Sequence, residues 1–354
     1  MILDQIISVK QKLTSPILII GHTGFKGTWL SLLLEKLDIQ VIGLSLPADE
    51  ESLYIKLKRL GAVEEYFHDI RDYSYVQEII NRINPKYIFH LAAQPLVLSS
   101  YKDPRKTFET NIMGTANILE SALKVGNCER IIVSTTDKVY KNSDISQRFS
   151  ENSSLGGKDP YSWSKVGTEA AIGAWRQISK IEHGPEIISV RAGNVIGGGD
   201  QSLNRLLPDL IKSFISDSKI LIRNPQSTRP WQHVLDPLWG YVLAMTADTG
   251  LPAFNFAPDG KSLSVGDVTS IAINEWGART SIEILENKND YESKNLELDS
   301  KLAKAKLHWV NTWNQEDAVI STVRWWKSIN DKKLSPFEAC QINLRELFQE
   351  INNE

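Results

Sequence analysis

A tyrosine and a lysine four residues apart, Tyr161 and Lys165, form the pair best suited to acid–base chemistry. On a helix this spacing places both side chains on one face, about one turn apart. Because an ammonium favours a nearby phenolate, we expect Lys165 to lower the pKa of Tyr161 below its usual ~10. Such a tyrosine can take the proton of a sugar hydroxyl while hydride leaves for a nicotinamide. The alternative is a surface pair with no catalytic role.

A second set of reactive side chains, Thr136, Asp137 and Lys138, follows an apolar run at Ile131–Val133. Open α/β sheets bind ligands at the carboxyl ends of their strands, so a hydroxyl, an acid and an amine would meet a ligand there. The alternative is an exposed Asp–Lys ion pair, worth less than about 1 kcal/mol.

A glycine-rich segment, Gly21–Gly27, follows the apolar run Ile17–Ile20 with the spacing GxxGxxG. Its glycines allow a tight turn and a close approach of backbone N–H groups to a pyrophosphate, and the helix that follows adds its dipole. The pattern predicts a dinucleotide site, and the alternative is an ordinary strand–helix turn.

The residues expected near the adenosine leave the choice of cofactor open. No Asp or Glu ends the predicted strand Gln40–Leu46, where a ribose-binding acid is expected, so NAD and NADP both fit. Lys26 and Ser45 would tolerate a 2′-phosphate. Asp69 ends a third predicted strand and could accept a hydrogen bond from the adenine amino group, or it is a solvated acid in a turn.

Strand and helix patterns alternate from residue 17 to 192, which predicts an α/β fold with a doubly wound parallel sheet. Prolines and tryptophans accumulate after residue 192, which predicts a smaller C-terminal lobe over the ligand end of the sheet. We expect a dinucleotide-binding domain at 14–192, rejoined by 232–257, and a substrate lobe at 193–231 and 258–354. The predicted helices are Thr28–Leu37, Tyr73–Ile83, Phe108–Val125 and Tyr161–Lys180, and the later strands are Tyr87–Ala92, Arg130–Thr135 and Ile187–Ala192.

The composition of the 354 residues excludes several classes of protein. Lys and Arg total 40 and Asp and Glu 43, so the net charge of −3 argues against a nucleic-acid partner. The two cysteines show no paired spacing, and the six histidines show no HxH or HExxH pattern, so no metal is expected. No apolar run approaches ~18 residues and the N-terminus lacks signal-peptide features, so we expect no membrane partner and a cytoplasmic protein.

Together these motifs resemble the extended short-chain dehydrogenases/reductases and, within them, the nucleotide-sugar 4,6-dehydratases. The Asp-Lys after the threonine and the RPWQHV block are similar to the group that acts on CDP-sugars. The motifs that carry the resemblance are GHTGFKGTWL from Gly21, HLAAQPLV from His90, SYKDPRKTFETNIMGT from Ser100, TTDKVY from Thr135, LGGKDPYSWSK from Leu155, RAGNVIGGGD from Arg191 and RPWQHVLDPLWGY from Arg229.

The resemblance implies a Rossmann-like fold and assigns roles to three sets of residues. The catalytic set it implies is Thr136, Asp137, Lys138, Tyr161 and Lys165. The cofactor-binding set it implies is Gly21, Thr23, Gly24, Phe25, Lys26, Gly27, Asp69, Ile70, Leu91, Ala92, Ala93, Asn111, Tyr161 and Lys165. The substrate-binding set it implies is Gln94, Thr136, Asn194, Arg205, Arg229 and His233, although the arginines could be loop charges and His233 a core histidine.

The implied reaction is a redox-neutral dehydration of a nucleotide hexose, most simply CDP-glucose, to the 4-keto-6-deoxy sugar by internal hydride transfer from C4 to C6. Asp137 would protonate the departing C6 hydroxyl, and Lys138, a water or Asp137 would remove the C5 proton. Leu98 and Gln201 replace residues usual in the family, which affects the expected sugar or base and not the reaction.

Two other functions and the assembly state stay open. A nucleotide-sugar 4-epimerase would lack the Asp-Lys pair because it needs no acid for a C6 hydroxyl, and a dinucleotide sensor would have lost Tyr161 or Lys165. A 4,6-dehydratase of another nucleotide sugar is a further alternative. The resemblance also implies a homodimer or a homotetramer.

Overall fold

The computed structural model describes residues 2–142, 148–285 and 296–349. Seven strands form a central sheet that is parallel throughout, as the alternating pattern predicts. These strands are β1 Ile17–Ile20, β2 Val41–Ser45, β3 Glu64–Phe67, β4 Tyr87–His90, β5 Arg130–Ser134, β7 Glu186–Ala192 and β12 Ala253–Phe256. Their order across the sheet is β12-β7-β5-β4-β1-β2-β3. The short strands are β6 Arg148–Phe149, β8 Asn194–Ile196, β9 Ile220–Arg223, β10 Thr228–Arg229, β11 Trp231–His233, β13 Leu263–Ser264, β14 Ile282–Leu285 and β15 Glu297–Leu298.

Helices cover both faces of the sheet. In the first half they are α1 Ile2–Lys12, α2 Phe25–Lys36, α3 Leu53–Lys56, α4 Tyr73–Ile83, α5 Val97–Lys102, α6 Pro104–Phe108, α7 Gly114–Val125 and α8 Pro160–Glu182. In the second half they are α9 Leu206–Ile215, α10 Leu235–Thr246, α11 Val265–Trp276, α12 Lys301–Leu307, α13 Gln315–Asn330 and α14 Pro336–Leu347. Among the residues described, no helix combines the length and the apolarity needed to cross a membrane.

Strand β1 shows why the sheet is buried on both sides. Successive side chains of a strand point to opposite faces. Ile17 and Ile19 therefore belong to the core that includes α2 and α10, whereas Leu18 and Ile20 belong to the core beneath α4, α7 and α8. Because the strands all run parallel, their carboxyl ends and the loops that follow them lie at one edge of the sheet.

Two predicted helices differ from the structure. Helix α2 begins at Phe25 and not at Thr28, so Lys26 lies inside its first turn. The predicted helix Phe108–Val125 is interrupted by a π-helical turn at Glu109–Met113, between α6 and α7. Apolar periodicity does not reveal a one-residue widening of a helix, which is why the pattern predicts one continuous element.

The second half of the chain is interleaved with the first. Strand β12 returns to the central sheet and pairs in parallel with β7, within the predicted segment 232–257. Strand β11 pairs with β8 and leads directly into α10. Buried tryptophans fill the core of this half, at Trp231, Trp309, Trp313, Trp325 and Trp326.

Candidate active site

The glycine-rich loop forms a tight turn between β1 and α2. Gly21 adopts φ +97°, and a Cβ there would lie 2.6 Å from the Ala92 backbone nitrogen, so only glycine fits. Leu91 and Ala92 donate their backbone N–H groups to the Ile20 carbonyl at 2.8 and 2.9 Å, which joins the ends of β1 and β4. Ala93 follows in the same loop.

The first turn of α2 fits a pyrophosphate. Gly24 is its N-cap and supplies no side-chain hydrogen bond. The first N–H groups of a helix have no partner within the helix, so those of α2 can bind an anion with the help of its dipole. The ring of Phe25 packs beside Gly197, where an added Cβ would lie 3.3 Å from it.

Hydroxyl groups, and no carboxylate, occupy the end of β2 beside this loop. The Thr23 hydroxyl lies 2.7 Å from that of Ser45 and donates to the Leu46 carbonyl at 3.0 Å. Further along the edge, Asp69 accepts hydrogen bonds from Arg71, at 2.9 Å from its N–H and 2.7 Å from its guanidinium. Ile70 is buried in the core.

Lys26 faces the catalytic groups and not the end of β2. Its Nζ lies 3.4 Å from the Tyr241 hydroxyl, and its charge interacts with those of Arg205 and Asp137. Burial lowers the pKa of Lys26 to about 8, and the positive charge of Arg205 adds to this effect. A role for its ammonium beside a 2′-phosphate near Ser45 finds no support in this arrangement.

Helix α8 places the tyrosine and the lysine beside Thr136. Asp159 caps the helix with a capping box completed by Ser162, and Pro160 occupies its first turn. The Tyr161 phenol is hydrogen-bonded to the side chain of Thr136. Helix α8 therefore brings Tyr161 and Lys165 to the end of β5, where Thr136 lies.

The expected lowering of the tyrosine pKa does not occur. Burial raises the pKa of Tyr161 to about 12, although the hydrogen bond from Thr136 and the charge of Arg205 oppose this rise. Lys165 donates instead to the Ser134 carbonyl at 3.2 Å, and burial together with the charge of Lys26 lowers its own pKa to about 8. The prediction is wrong because the cost of burying a phenolate is the largest effect on Tyr161, and the charges that act on it most strongly are those of Arg205 and Asp137, not that of Lys165.

Asp137 and Lys138 lie in a 3₁₀ turn, Asp137–Val139, directly after β5. The Thr136 hydroxyl accepts the Lys138 N–H at 3.3 Å and lies 3.0 Å from Asp137 Oδ1. Within the described part of the chain, Asp137 Oδ2 is buried without a hydrogen-bond partner. Burial raises the pKa of Asp137 against the opposing charge of Lys138, so this carboxyl retains its proton more readily than an exposed one.

Asn111 braces the site from the π-helical turn. Its Oδ1 accepts the Gln94 N–H at 2.8 Å, and its Nδ2 donates to the hydroxyl of Ser164, the neighbour of Lys165, at 2.8 Å. The Gln94 side chain binds within its own region, to Thr107 at 2.9 Å and to the Leu96 N–H at 2.6 Å.

The predicted substrate residues divide into two groups. The charge of Arg205 acts on Tyr161 and Lys26, and that of the buried Arg229 acts on Asp137, so both arginines lie within electrostatic range of the catalytic residues. Arg205 Nη1 lies 3.5 Å from Asp200 Oδ2. Asn194, the first residue of β8, also lies near the site. A Cβ on the preceding Gly193 would lie 3.1 Å from Asp137 Oδ2.

His233 belongs to the other group. Its side chain is fully buried, with its ring 4.1 Å from that of Trp313 and 6.1 Å from that of Trp29. Burial lowers its pKa to about 3, so the ring stays neutral within an aromatic core. The structure thus matches the core-histidine alternative and does not bring His233 to the catalytic groups.

Two further residues surround the site without having been predicted. Tyr241 is hydrogen-bonded to the Ser134 side chain and lies beside Lys26. Glu169 follows Lys165 by one turn of α8, and its charge acts on that lysine. The sequence signals for them are the tyrosine that ends the RPWQHVLDPLWGY motif and the acid four residues after Lys165. Within the described residues, no group of three or more His, Cys, Asp and Glu side chains is arranged to hold a metal ion.

Comparison with known proteins places the chain in a family. The family model described as GDP-mannose 4,6 dehydratase matches residues 18–322. The chain belongs to this family. It is 38% identical over 324 residues to a CDP-glucose 4,6-dehydratase of Salmonella typhimurium, covering 88% of this chain and 90% of the relative. It is 25% identical to a UDP-glucose 4-epimerase of Mycoplasma genitalium, covering 63% of this chain and 67% of that protein.

Solved structures share the fold. A dTDP-glucose 4,6-dehydratase from Streptomyces venezuelae, solved with NAD and TYD bound, superposes with a TM-score of 0.78 at 22% identity, covering 91% of this chain and 99% of that one. A UDP-glucose 4-epimerase from Thermotoga maritima, solved with UDP-glucose, has a TM-score of 0.78 at 23% identity, covering 89% and 99%. The predicted family, its Rossmann-like fold and its enzyme class, a dehydratase and therefore a hydro-lyase, are confirmed.

Proposed function

We propose that the chain is an NAD-dependent CDP-glucose 4,6-dehydratase, which forms the 4-keto-6-deoxy sugar nucleotide. The observation that carries this proposal is Asp137, a buried acid with a raised pKa and one unpartnered oxygen beside the Thr136–Tyr161 pair. A 4-epimerase needs no proton donor for a C6 hydroxyl, whereas a dehydratase does. The identity of 38% to a CDP-glucose 4,6-dehydratase supports the choice of substrate.

The tyrosine and the threonine act at C4 of the sugar. Thr136 and Tyr161 share a hydrogen bond, so a sugar 4-hydroxyl placed between them can bind both oxygens. Tyr161 in its phenolate form takes the hydroxyl proton, and the Thr136 hydroxyl and the charge of Arg205 favour that phenolate. A bound NAD would supply the acceptor for the C4 hydride and, once reduced, the donor of that hydride to C6.

The acid and the amine of the 3₁₀ turn act at C5 and C6. Asp137 delivers its proton to the departing C6 hydroxyl from Oδ2, the oxygen that lacks a partner among the described residues. Lys138, next in the same turn, removes the C5 proton, which the adjacent 4-ketone makes acidic, and returns a proton to C5 when hydride adds to C6. If Lys138→Ala retained near-normal exchange of C5 hydrogen with solvent, the base would be a water or Asp137.

The remaining roles are proposed from position. The first turn of α2 holds the pyrophosphate, and Arg205 and Arg229 bind the diphosphate of the substrate. The Thr23–Ser45 hydroxyl pair faces the adenosine ribose, with NADP as the alternative cofactor. Segments 193–231 and 258–354 form the substrate lobe over the domain at 14–192 and 232–257.

We further propose a homodimer, or a homotetramer, in the cytoplasm, whose product enters deoxysugar and polysaccharide biosynthesis. Apolar side chains exposed along α6, the π-helical turn and α8 support association, among them Phe108, Met113 and Trp163. Light scattering of the purified protein measures the assembly.

A proton NMR time course tests the reaction. The purified enzyme is incubated with CDP-glucose, dTDP-glucose, UDP-glucose or GDP-mannose without added reductant. A 4-keto-6-deoxy product from CDP-glucose alone supports the whole proposal, and product from another nucleotide changes only the specificity. Inversion at C4 without loss of water would contradict dehydration and the role of Asp137.

A further inference from the structure

A buried carboxylate on α8, that of Glu169, accepts hydrogen bonds from three residues. Glu169 Oε1 accepts from the Thr135 hydroxyl at 2.6 Å, the Ser189 hydroxyl at 2.5 Å and Arg191 Nε at 2.7 Å, and Oε2 accepts from Arg191 Nη2 at 2.8 Å. The side chains of Glu169 and Arg191 are only 5% and 6% exposed. A fully bonded ion pair at this depth has a fixed geometry, because breaking any contact leaves a buried charge unsatisfied.

Arg191 of this ion pair also contacts Tyr140, which follows the residues proposed to be catalytic. Arg191 Nη1 donates to the Tyr140 hydroxyl at 2.8 Å, and that hydroxyl donates to Asn255 Oδ1 on β12 at 2.7 Å. Tyr140 is itself fully buried, with its ring stacked on Phe149. The guanidinium thus fixes the residue that directly follows the 3₁₀ turn.

Thr135 and Tyr140 enclose the residues proposed to do the chemistry. Thr136, Asp137 and Lys138 lie between them. Glu169 holds the first end of this segment and Arg191 holds the second, from α8 and β7 respectively. Because the Glu169–Arg191 ion pair holds both ends of this stretch, the four residues 136–139 have little freedom to move.

The carboxylate also faces the catalytic lysine. Glu169 lies four residues after Lys165 on α8, so both side chains project from the same face. The other groups around Lys165 are Lys26 from α2, His90 from β4 and the Ser134 carbonyl of β5. The pKa of Lys165 is lowered by burial and by the charge of Lys26, and Glu169 is the group that opposes both.

We propose that Glu169 and Arg191 are positioning residues of this active site, which clamp the Thr135–Tyr140 segment and place a carboxylate one helical turn from Lys165. Neither side chain needs to touch the substrate for this role. The inference rests on the proposed dehydration for its kinetic consequence, whereas the clamp and the effect on Lys165 are properties of the protein alone.

Three single variants separate the clamp from the charge. Thr135→Val and Tyr140→Phe each remove one hydroxyl of the clamp and leave Glu169 charged. Glu169→Gln removes the charge and keeps the size of the side chain. If Glu169→Gln does not fold because Arg191 is left unpaired, the double variant Glu169→Gln/Arg191→Met removes both charges and replaces it. Glu186→Gln is the matched control, since Glu186 pairs with Arg130 at 2.8 Å at the start of β7, the opposite end of the strand from Arg191.

Titration of Lys165 is read without any substrate. Lysine labelled with carbon-13 at Cε is followed by two-dimensional NMR against pH, and Lys165→Met assigns the signal. We expect Glu169→Gln to lower the titration midpoint of Lys165 by about one pH unit, because a nearby opposite charge shifts a pKa by an amount of this order. We expect Thr135→Val, Tyr140→Phe and Glu186→Gln to leave the midpoint unchanged.

Turnover supplies the second readout. We expect Thr135→Val and Tyr140→Phe to lower kcat about tenfold with KM within twofold, because misplaced catalytic groups affect the reaction more than binding. An unchanged Lys165 midpoint in Glu169→Gln, or a kcat within twofold of wild type in both hydroxyl variants, would overturn the proposal. A wild-type enzyme that shows no turnover but retains the Lys165 shift contradicts the proposed reaction and upholds the electrostatic role of Glu169.

Discussion

Asp137→Asn tests the proposed general acid while keeping the size of the side chain. Asp137 is 2% exposed, and burial raises its pKa. An amide cannot deliver a proton to the C6 hydroxyl at neutral pH. General acid–base catalysis contributes about 10²- to 10⁴-fold, so we expect kcat to fall by that factor, or about 2.7–5.5 kcal/mol in the activation free energy.

Asp137→Asn should lower kcat, but it should not lower the stability of the folded state. Because burial disfavours the charged form of Asp137, a neutral amide removes an unfavourable contribution that grows as the pH rises above the unfolded pKa of the carboxyl. We therefore expect Asp137→Asn to be at least as stable as wild type at pH 7 and to lose activity without loss of structure.

The assay follows formation of the 4-keto-6-deoxy product by NMR, with urea unfolding measured on the same samples. Asp236→Asn serves as the control, since Asp236 is a buried aspartate whose carboxylate accepts the Thr312 N–H at 2.7 Å, away from the catalytic groups. We expect this control to change stability and to keep kcat. An Asp137→Asn enzyme with kcat within fivefold of wild type would refute the role of Asp137 as proton donor.

Three further predictions concern charge and backbone geometry. Lys26→Met removes the cation that lowers the pKa of Lys165, so the Lys165 midpoint in the NMR titration should rise above about 8, the opposite of the effect of Glu169→Gln; no rise would show that the two lysines do not interact. Gly21→Ala places a Cβ 2.6 Å from the Ala92 nitrogen at φ +97°, so the free energy of unfolding in urea should fall by about 1–3 kcal/mol, and an unchanged value would contradict the close approach. Burial raises the pKa of Asp236 to about 7, so wild-type stability should decline as the pH rises from about 4 to 7 through ionisation of this group, a decline that Asp236→Asn should reduce in thermal unfolding at matched pH values.

Local sequence pattern located five strands of the central sheet, β1, β2, β4, β5 and β7. The runs at Ile17–Ile20 and Ile131–Val133 are continuously apolar because both faces of a parallel strand are buried. Tyr73–Ile83 is amphipathic over the residues that form α4. These signals depend only on neighbours in the chain. They therefore predict which loops meet at the carboxyl edge of the sheet.

The direction of a side chain at that edge depends on partners remote in sequence. Lys26 turns toward Tyr241, which lies 215 residues later, and His233 is enclosed by Trp29 and Trp313. The tyrosine pKa was mispredicted for the same reason, because spacing from Lys165 does not report how deeply the phenol is buried. Sequence spacing identifies candidates, and burial by distant segments decides their chemistry.

The π-helical turn that carries Asn111 makes the length of this segment part of the active site. A π turn is an α-helix with one residue inserted, so deleting one residue from Glu109–Met113 would restore an unbroken helix. The helix would persist, but the wider turn that positions Asn111 would be replaced by a regular α-helical turn. Asn111 could then no longer contact both Gln94 and Ser164. Substitutions at this place can be gradual in their effect, whereas a change in residue number is all or none.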